Sequence, residues 1–152
     1  MRVTHKDLVD AAVKQLKSWS CSPILRELVT LNSTGEVPDA IGWNCHGSIL
    51  FECKTSRADF LRDRKKIFRY SLEDMGMGDW RFYITLPGVV RSADELPRGW
   101  GCYTYMPGYK RPLSHAYGEK YNWTVGHPLH GHKNNEIIML RSYIRRTCNG
   151  HD

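Results

Sequence analysis

Residues 37–43 and 48–54 are two strand-forming runs separated by Asn44-Cys45-His46-Gly47, and this segment limits the fold more than any other part of the chain. Asn and Gly accept the left-handed backbone that a tight turn needs, so the two runs are expected to pair as a hairpin. Within the second run, period-two alternation puts Leu50, Glu52 and Lys54 on one face and Ile49, Phe51 and Cys53 on the other. Asp39 follows Pro38 in the first run, thirteen residues before Glu52. Hairpin pairing then sets the two carboxylates side by side, with the Lys54 amine next to them.

Two adjacent carboxylates repel, and burying them without a counter-charge raises the pKa of one. A hard divalent cation relieves that penalty. Magnesium takes one or two carboxylates together with water and phosphate oxygens, so Asp39 and Glu52 suit it better than they suit zinc. Lys54 is placed to hold an attacking water or to offset charge developing on a phosphate. The spacing thus points to metal-assisted phosphodiester hydrolysis. The alternative is an exposed strand face whose Glu and Lys stand two apart without purpose, since an isolated E-x-K triplet is common.

The residues after Lys54 bear on that choice. Segment 56–70, SRADFLRDRKKIFRY, carries six basic and two acidic side chains, a net of +4. Read as one helix, it turns Phe60, Leu61, Ile67 and Phe68 inward and leaves Arg62, Lys66 and Arg69 on an outer face with Asp59 and Asp63. Such a face can grip a nucleic-acid backbone without reading sequence, through Arg57, Arg62, Lys65, Lys66 and Arg69. It can equally be a solvated face laced by ion pairs.

Segment 51–66, FECKTSRADFLRDRKK, resembles the PD-(D/E)XK nuclease superfamily, specifically its small bacterial MmcB-like DNA repair type. Ser56, Arg57, Ala58, Asp59, Phe60, Asp63 and Lys65 fall in register with the pattern S-R-A-D-F-x-x-D-x-K that follows the E-x-K strand there. Upstream, Glu27 matches an acidic residue of the preceding strand and Asp39 matches the family's Asp. Downstream, 81–87 (RFYITLP), 94–97 (DELP) and 99–101 (GWG) look like the following strand, turn and strand. The resemblance covers roughly residues 20–106 and is specific in 51–66; Lys66 stands where an aromatic is usual, and neither 72–79 nor 107–133 has a counterpart.

The resemblance implies a restriction-endonuclease-like α/β core, a mixed sheet flanked by helices. It implies Asp39 and Glu52 as metal ligands, the Cys53 carbonyl completing the site, Glu27 as a further ligand or metal-water contact, and Lys54 positioning water. Magnesium is the implied ion, with manganese able to substitute, and a homodimer is allowed. The superfamily also holds members that bind without cutting, so resemblance does not by itself establish activity.

Elsewhere, Thr4 and Asp7 form a capping-box-like start to a first helix in which Leu8, Ala12, Leu16 and Trp19 recur at helical spacing, ending before Ser22-Pro23. Residues 24–31 are β-like, with Glu27 on the face of Leu25 and Val29. Residues 80–86 and 100–105 read as strands stopped by Pro-Gly pairs. A final helix over about 135–147 is expected to present Ile137, Leu140 and Ile144 inward and to end with Arg145, Arg146 and Gly150. The order helix, three strands, helix, two strands, helix suits one mixed sheet flanked by helices across residues 1–152, with a loop-rich insertion at about 107–133.

Residues 103–123 interleave Tyr103, Tyr105, Tyr109, Tyr117, Tyr121 and Trp123 with Lys110, Arg111, His115 and Lys120. Aromatics among basic residues can stack unpaired bases, cover a sheet edge or anchor a long loop. Five cysteines at irregular spacing without C-x-x-C argue for a reducing compartment. Cys45-His46 with Cys53, or His127, His130 and His132, would be a loosely spaced zinc set and are read as ordinary side chains. No long apolar run and no N-terminal apolar h-region are present, so a cytoplasmic protein without membrane partners is expected. At 152 residues and net charge +6, the chain is one domain suited to a polyanionic partner.

The expected activity is magnesium-dependent hydrolysis of DNA phosphodiesters, in repair, recombination or phage DNA metabolism. The alternatives are a non-catalytic nucleic-acid-binding module on the same fold and an RNA-cleaving defence or toxin nuclease.

Overall fold

Thr4 caps α1 (His5–Ser18) in both directions: its hydroxyl accepts from the Asp7 amide at 3.3 Å, and the Asp7 carboxylate accepts from the Thr4 amide at 2.7 Å. The computed structural model describes residues 2–70 and 73–149. α1 buries Leu8, Val9, Ala12 and Leu16 against one face of a sheet, meeting Ile49, Phe51, Cys53, Phe82 and Ile84. The sheet has six strands in the order β1 (Ile24–Arg26), β2 (Ala40–Asn44), β3 (Gly47–Lys54), β4 (Trp80–Thr85), β5 (Trp100–Tyr105) and β6 (Leu113–Gly118). β3, β4 and β5 run parallel and the other neighbours are antiparallel. This is an α/β architecture with a mixed open sheet flanked by helices, consistent with a restriction-endonuclease-like core.

The β2–β3 hairpin forms as expected: Ala40 pairs with Phe51 and Asn44 with Gly47, and Gly47 at φ 130° takes the conformation the turn requires. A parallel crossover needs chain to travel back along the sheet. Here α2 (Arg57–Asp63) and α3 (Ile67–Tyr70) carry it, on the face opposite α1, where Phe60 packs with Leu50, Tyr83 and Trp100. The alternation read for β3 therefore holds: Ile49, Phe51 and Cys53 meet α1, while Leu50 lies on the α2 side.

Four expectations are corrected. Residues 56–70 are two short helices, so the helical phase is lost between Asp63 and Ile67: Ile67 is exposed, and Arg69, assigned to the outer face, is buried. The strand expected over 24–31 stops at Arg26, because Glu27 takes a left-handed backbone at φ 47°. The 107–133 segment is less loop-rich than expected, since β6 adds an edge strand to β5. Gly101 permits that pairing; a Cβ there would lie 1.9 Å from the Glu119 carbonyl oxygen.

The fourth correction concerns α4 (Lys133–Cys148), which turns Asn135, Glu136 and Met139 inward, leaving Ile137 and Ile144 59 % and 56 % exposed. Its anchor is polar. The Glu136 carboxylate accepts from Trp43 Nε1 at 3.1 Å, Ser48 Oγ at 3.0 Å and the Gly78 amide at 3.0 Å. Arg145 and Arg146 lie in the last turn as expected, while Gly150 lies outside the described residues. Among the described residues no helix is long and apolar enough to cross a membrane.

Candidate functional site

In open α/β sheets, ligands are met at the carboxyl ends of the parallel strands. Lys54 ends β3, level with Thr85 of β4, which is level with Thr104 of β5. Ser56 then caps α2 by accepting from the Asp59 amide at 3.2 Å, which fixes where the helix leaves the strand. The turn directs α2 back over Glu52 and Lys54.

Asp39 lies one step beyond Ala40, which pairs with Phe51, so the same register carries it toward Glu52. One Asp39 oxygen accepts the Cys53 amide at 2.6 Å, replacing a ladder bond, while the other lies 3.4 Å from His5 Nε2. His5 is also 3.2 Å from Glu27. His5, Glu27 and Asp39 are the one set of three described residues whose ligand atoms come within 4.8 Å of one another, and none of the imagined cysteine–histidine zinc sets assembles among the described residues. The left-handed backbone at Glu27 matters here, because it ends the strand and leaves the side chain exposed beside α1.

Glu52 lies deeper, 2 % exposed. Its carboxylate meets Lys54 Nζ at 3.3 Å and Arg69 Nη2 at 3.1 Å. The same guanidinium reaches Glu36 at 2.7 Å and Asp63 at 3.1 Å, and stacks on Trp100 with 4.6 Å to the ring centre. Asp63 also accepts from Tyr83 at 2.7 Å and meets Lys66 at 2.8 Å and Lys54 at 3.5 Å. Three carboxyl groups and three cations thus meet around the end of β3.

Burial pushes the Glu52 carboxyl up to about 8, opposed by Arg69 and reinforced by the charges of Asp39 and Asp63. Burial alone would raise Asp63 too, but Arg69 and Lys54 hold it below the ordinary carboxyl range. At Lys54, burial would favour the neutral amine, but Glu52, Asp63 and Asp39 outweigh it and keep the amine charged. Burial raises the Cys53 thiol well above its ordinary value, so its sulfur is an inert neighbour.

A raised carboxyl pKa means that the fold favours the protonated form. The contribution of Glu52 to stability is therefore full below its ordinary value of 4.5 and is lost as pH rises through about 8. In chelator, the urea midpoint is expected to fall across that window, and Glu52→Gln is expected to flatten the fall. An equal slope in the variant would contradict the assignment.

The site opens to solvent through a cavity of about 370 Å³ lined by His5, Lys54, Asp59, Arg62, Asp63 and Lys66. Of the basic side chains read as backbone contacts, Arg57 is held by Glu95 at 2.5 Å, Arg62 pairs with Asp59, and Lys66 with Asp63. Arg69 is sealed inside and cannot reach a bound strand. Lys65 is exposed and has no acidic partner among the described residues. His5, Glu36 and the buried role of Arg69 escaped the sequence reading, because no spacing ties positions 5 and 36 to the hairpin.

Comparison with protein-family models, with curated proteins and with solved structures returned no match. The functional reading therefore stands on this geometry and on the motif in 51–66.

Proposed function

We propose that this chain is a divalent-metal-dependent nuclease of the PD-(D/E)XK type that hydrolyses DNA phosphodiester bonds, acting in repair, recombination or phage DNA metabolism. The observation that carries the reading is that Asp39, which accepts the Cys53 amide, stands near enough for its charge to act on buried Glu52 and on Lys54, and that Lys54 pairs with Glu52 and lines an open cavity at the end of β3. The donor set suits magnesium: Asp39 and Glu52 offer hard oxygens, the Cys53 carbonyl can add another, and Glu27 stands nearby with Asp39. Because burial disfavours an ionised Glu52, a cation held there would have to displace its proton and take over from Lys54 and Arg69. When bound, the ion would supply Lewis-acid stabilisation of phosphoryl charge and a more acidic water.

The protein's own groups set the rest. Lys54 keeps its proton, so it acts as a donor, holding the attacking water by its oxygen or meeting charge on the phosphate; it does not serve as a base. As the water oxygen bonds to phosphorus, the opposite P–O bond breaks, and the proton lost by water leaves to solvent. Arg62 and Lys66 at the rim of the cavity exchange their carboxylate partners for substrate phosphate.

The test has two parts. Magnesium or manganese should support cleavage of at least one form among plasmid, duplex, single-stranded and branched DNA, and Asp39→Asn should abolish it; no cleavage of any form would overturn the reading. Magnesium should also raise the unfolding midpoint of the wild type and not of Asp39→Asn, since only a ligand held by the native state stabilises it.

One observation favours a second reading, a non-catalytic nucleic-acid-binding module. Arg69 and Lys54 already neutralise Glu52, so the cluster is electrostatically complete on its own. Such a module would bind DNA equally with and without magnesium and show no midpoint shift. An RNA-cleaving enzyme would share the chemistry and would be revealed by preferential cleavage of RNA in the same assay.

A further inference from the structure

A second concavity lies away from the acid cluster. Between α1 and the β5–β6 hairpin, a groove of about 910 Å³ is edged by Lys14, Lys110, Arg111 and Lys120 and floored by half-buried Tyr105 and Tyr121. None of the four basic side chains has an acidic partner among the described residues. The two acids in the groove are committed elsewhere, Asp7 to the Thr4 cap and Asp10 to Lys6 at 2.7 Å and to Arg26. The uncompensated charge of the groove is therefore positive, unlike that of α2, where Arg57 and Arg62 are paired.

Position matters as much as charge. Thr104 is level with Lys54 across β4, so the loop from Met106 to Pro112 projects beyond the same end of the sheet as the candidate site. The groove is on the α1 side and Lys54 on the other, with the first turns of α1 between them. His5 belongs to the site and Ala11 to the groove, about 9 Å apart along one helix axis. A chain of phosphates leaving the groove meets the site by passing over the end of the sheet.

We propose that this groove binds an unpaired nucleic-acid strand and feeds it to the candidate site, so that the substrate class is single-stranded nucleic acid or the single-stranded arm of a branched molecule. Its destination rests on the nuclease reading; its binding step does not. Lys14, Lys110, Arg111 and Lys120 take backbone phosphates, and Tyr105 and Tyr121 offer apolar faces to bases, which only an unpaired strand can present. Tyr109, 64 % exposed at the loop tip, adds a third aromatic face. In a duplex the bases are already stacked on one another, so a duplex gains only the phosphate contacts at the rim.

The test measures fluorescence anisotropy of labelled oligo(dT), oligo(rU) and a blunt duplex of the same length, in chelator so that cleavage plays no part. Lys110→Glu with Arg111→Glu should weaken single-strand binding about tenfold or more and reduce the salt dependence by about 1.4 log units, from about 0.7 per phosphate contact. Tyr105→Ala should weaken binding with the salt dependence unchanged, and Tyr105→Phe should restore it. The tighter of the two single strands names the sugar. Failure to bind either one, duplex binding as tight as single-strand binding, or a double charge reversal within about twofold of wild type would overturn the proposal, whatever the outcome of the cleavage assay.

Discussion

Arg69→Leu is expected to cost about 3–5 kcal/mol of stability, the range for removing one partner from a buried ion-pair network. The guanidinium is fully enclosed and is shared by Glu36, Glu52 and Asp63. Leucine would fill part of the space against Trp100 but would leave those carboxylates without their main counter-charge. Arg69→Lys should recover only part of the loss, because one ammonium cannot replace a planar fork that reaches three acids. The deficit should shrink on acidification, as the stranded carboxyls accept protons and cease to be charged. Urea unfolding of the three proteins across pH would decide this; a leucine variant within about 1 kcal/mol of wild type would show that the network carries no net stability.

Lys54→Ala is expected to reduce magnesium-dependent cleavage about 10²–10³-fold, the cost of losing one preorganised donor from a developing oxyanion. The amine is largely buried, charged and aligned by Glu52 at 3.3 Å and Asp63 at 3.5 Å, so it needs no reorganisation to act. Lys54→Arg should not restore the rate, since the guanidinium is broader and cannot occupy the same place. Single-turnover cleavage with saturating protein separates this from weaker binding. An alanine variant that cuts at the wild-type rate would remove Lys54 from the chemistry.

The hairpin and its acids were legible because alternation along β3 and the Asn–Gly turn are local properties. From Ala40 to Lys54 the register then follows from the pairing itself. The break between α2 and α3 was not legible. Arg, Lys, Ala and Leu in 57–70 all favour helix, and the phase shift that turns Arg69 inward is set by Glu36 and Glu52 from elsewhere in the chain together with Asp63. Glu27 illustrates the same limit: alternation placed it on a strand, whereas its left-handed backbone ends β1. In α4 the apolar spacing of Ile137, Leu140 and Ile144 misled, because Glu136, with its three donors, fixes how the helix is rotated. Hydrophobic period reports burial only where hydrophobic contacts decide the packing.

The internal counter-ions around Glu52 have one more consequence. A cluster that carries its own lysine and arginine does not wait for an outside ion to assemble, so under the nuclease reading folding and metal loading would be separate events. Under the nuclease reading, an arriving cation would have to compete with Arg69 and Lys54 for the same oxygens, which would weaken its hold and make it readily exchangeable. Occupancy would then track the surrounding supply of the ion, letting a finished molecule stand idle or armed without any change of shape.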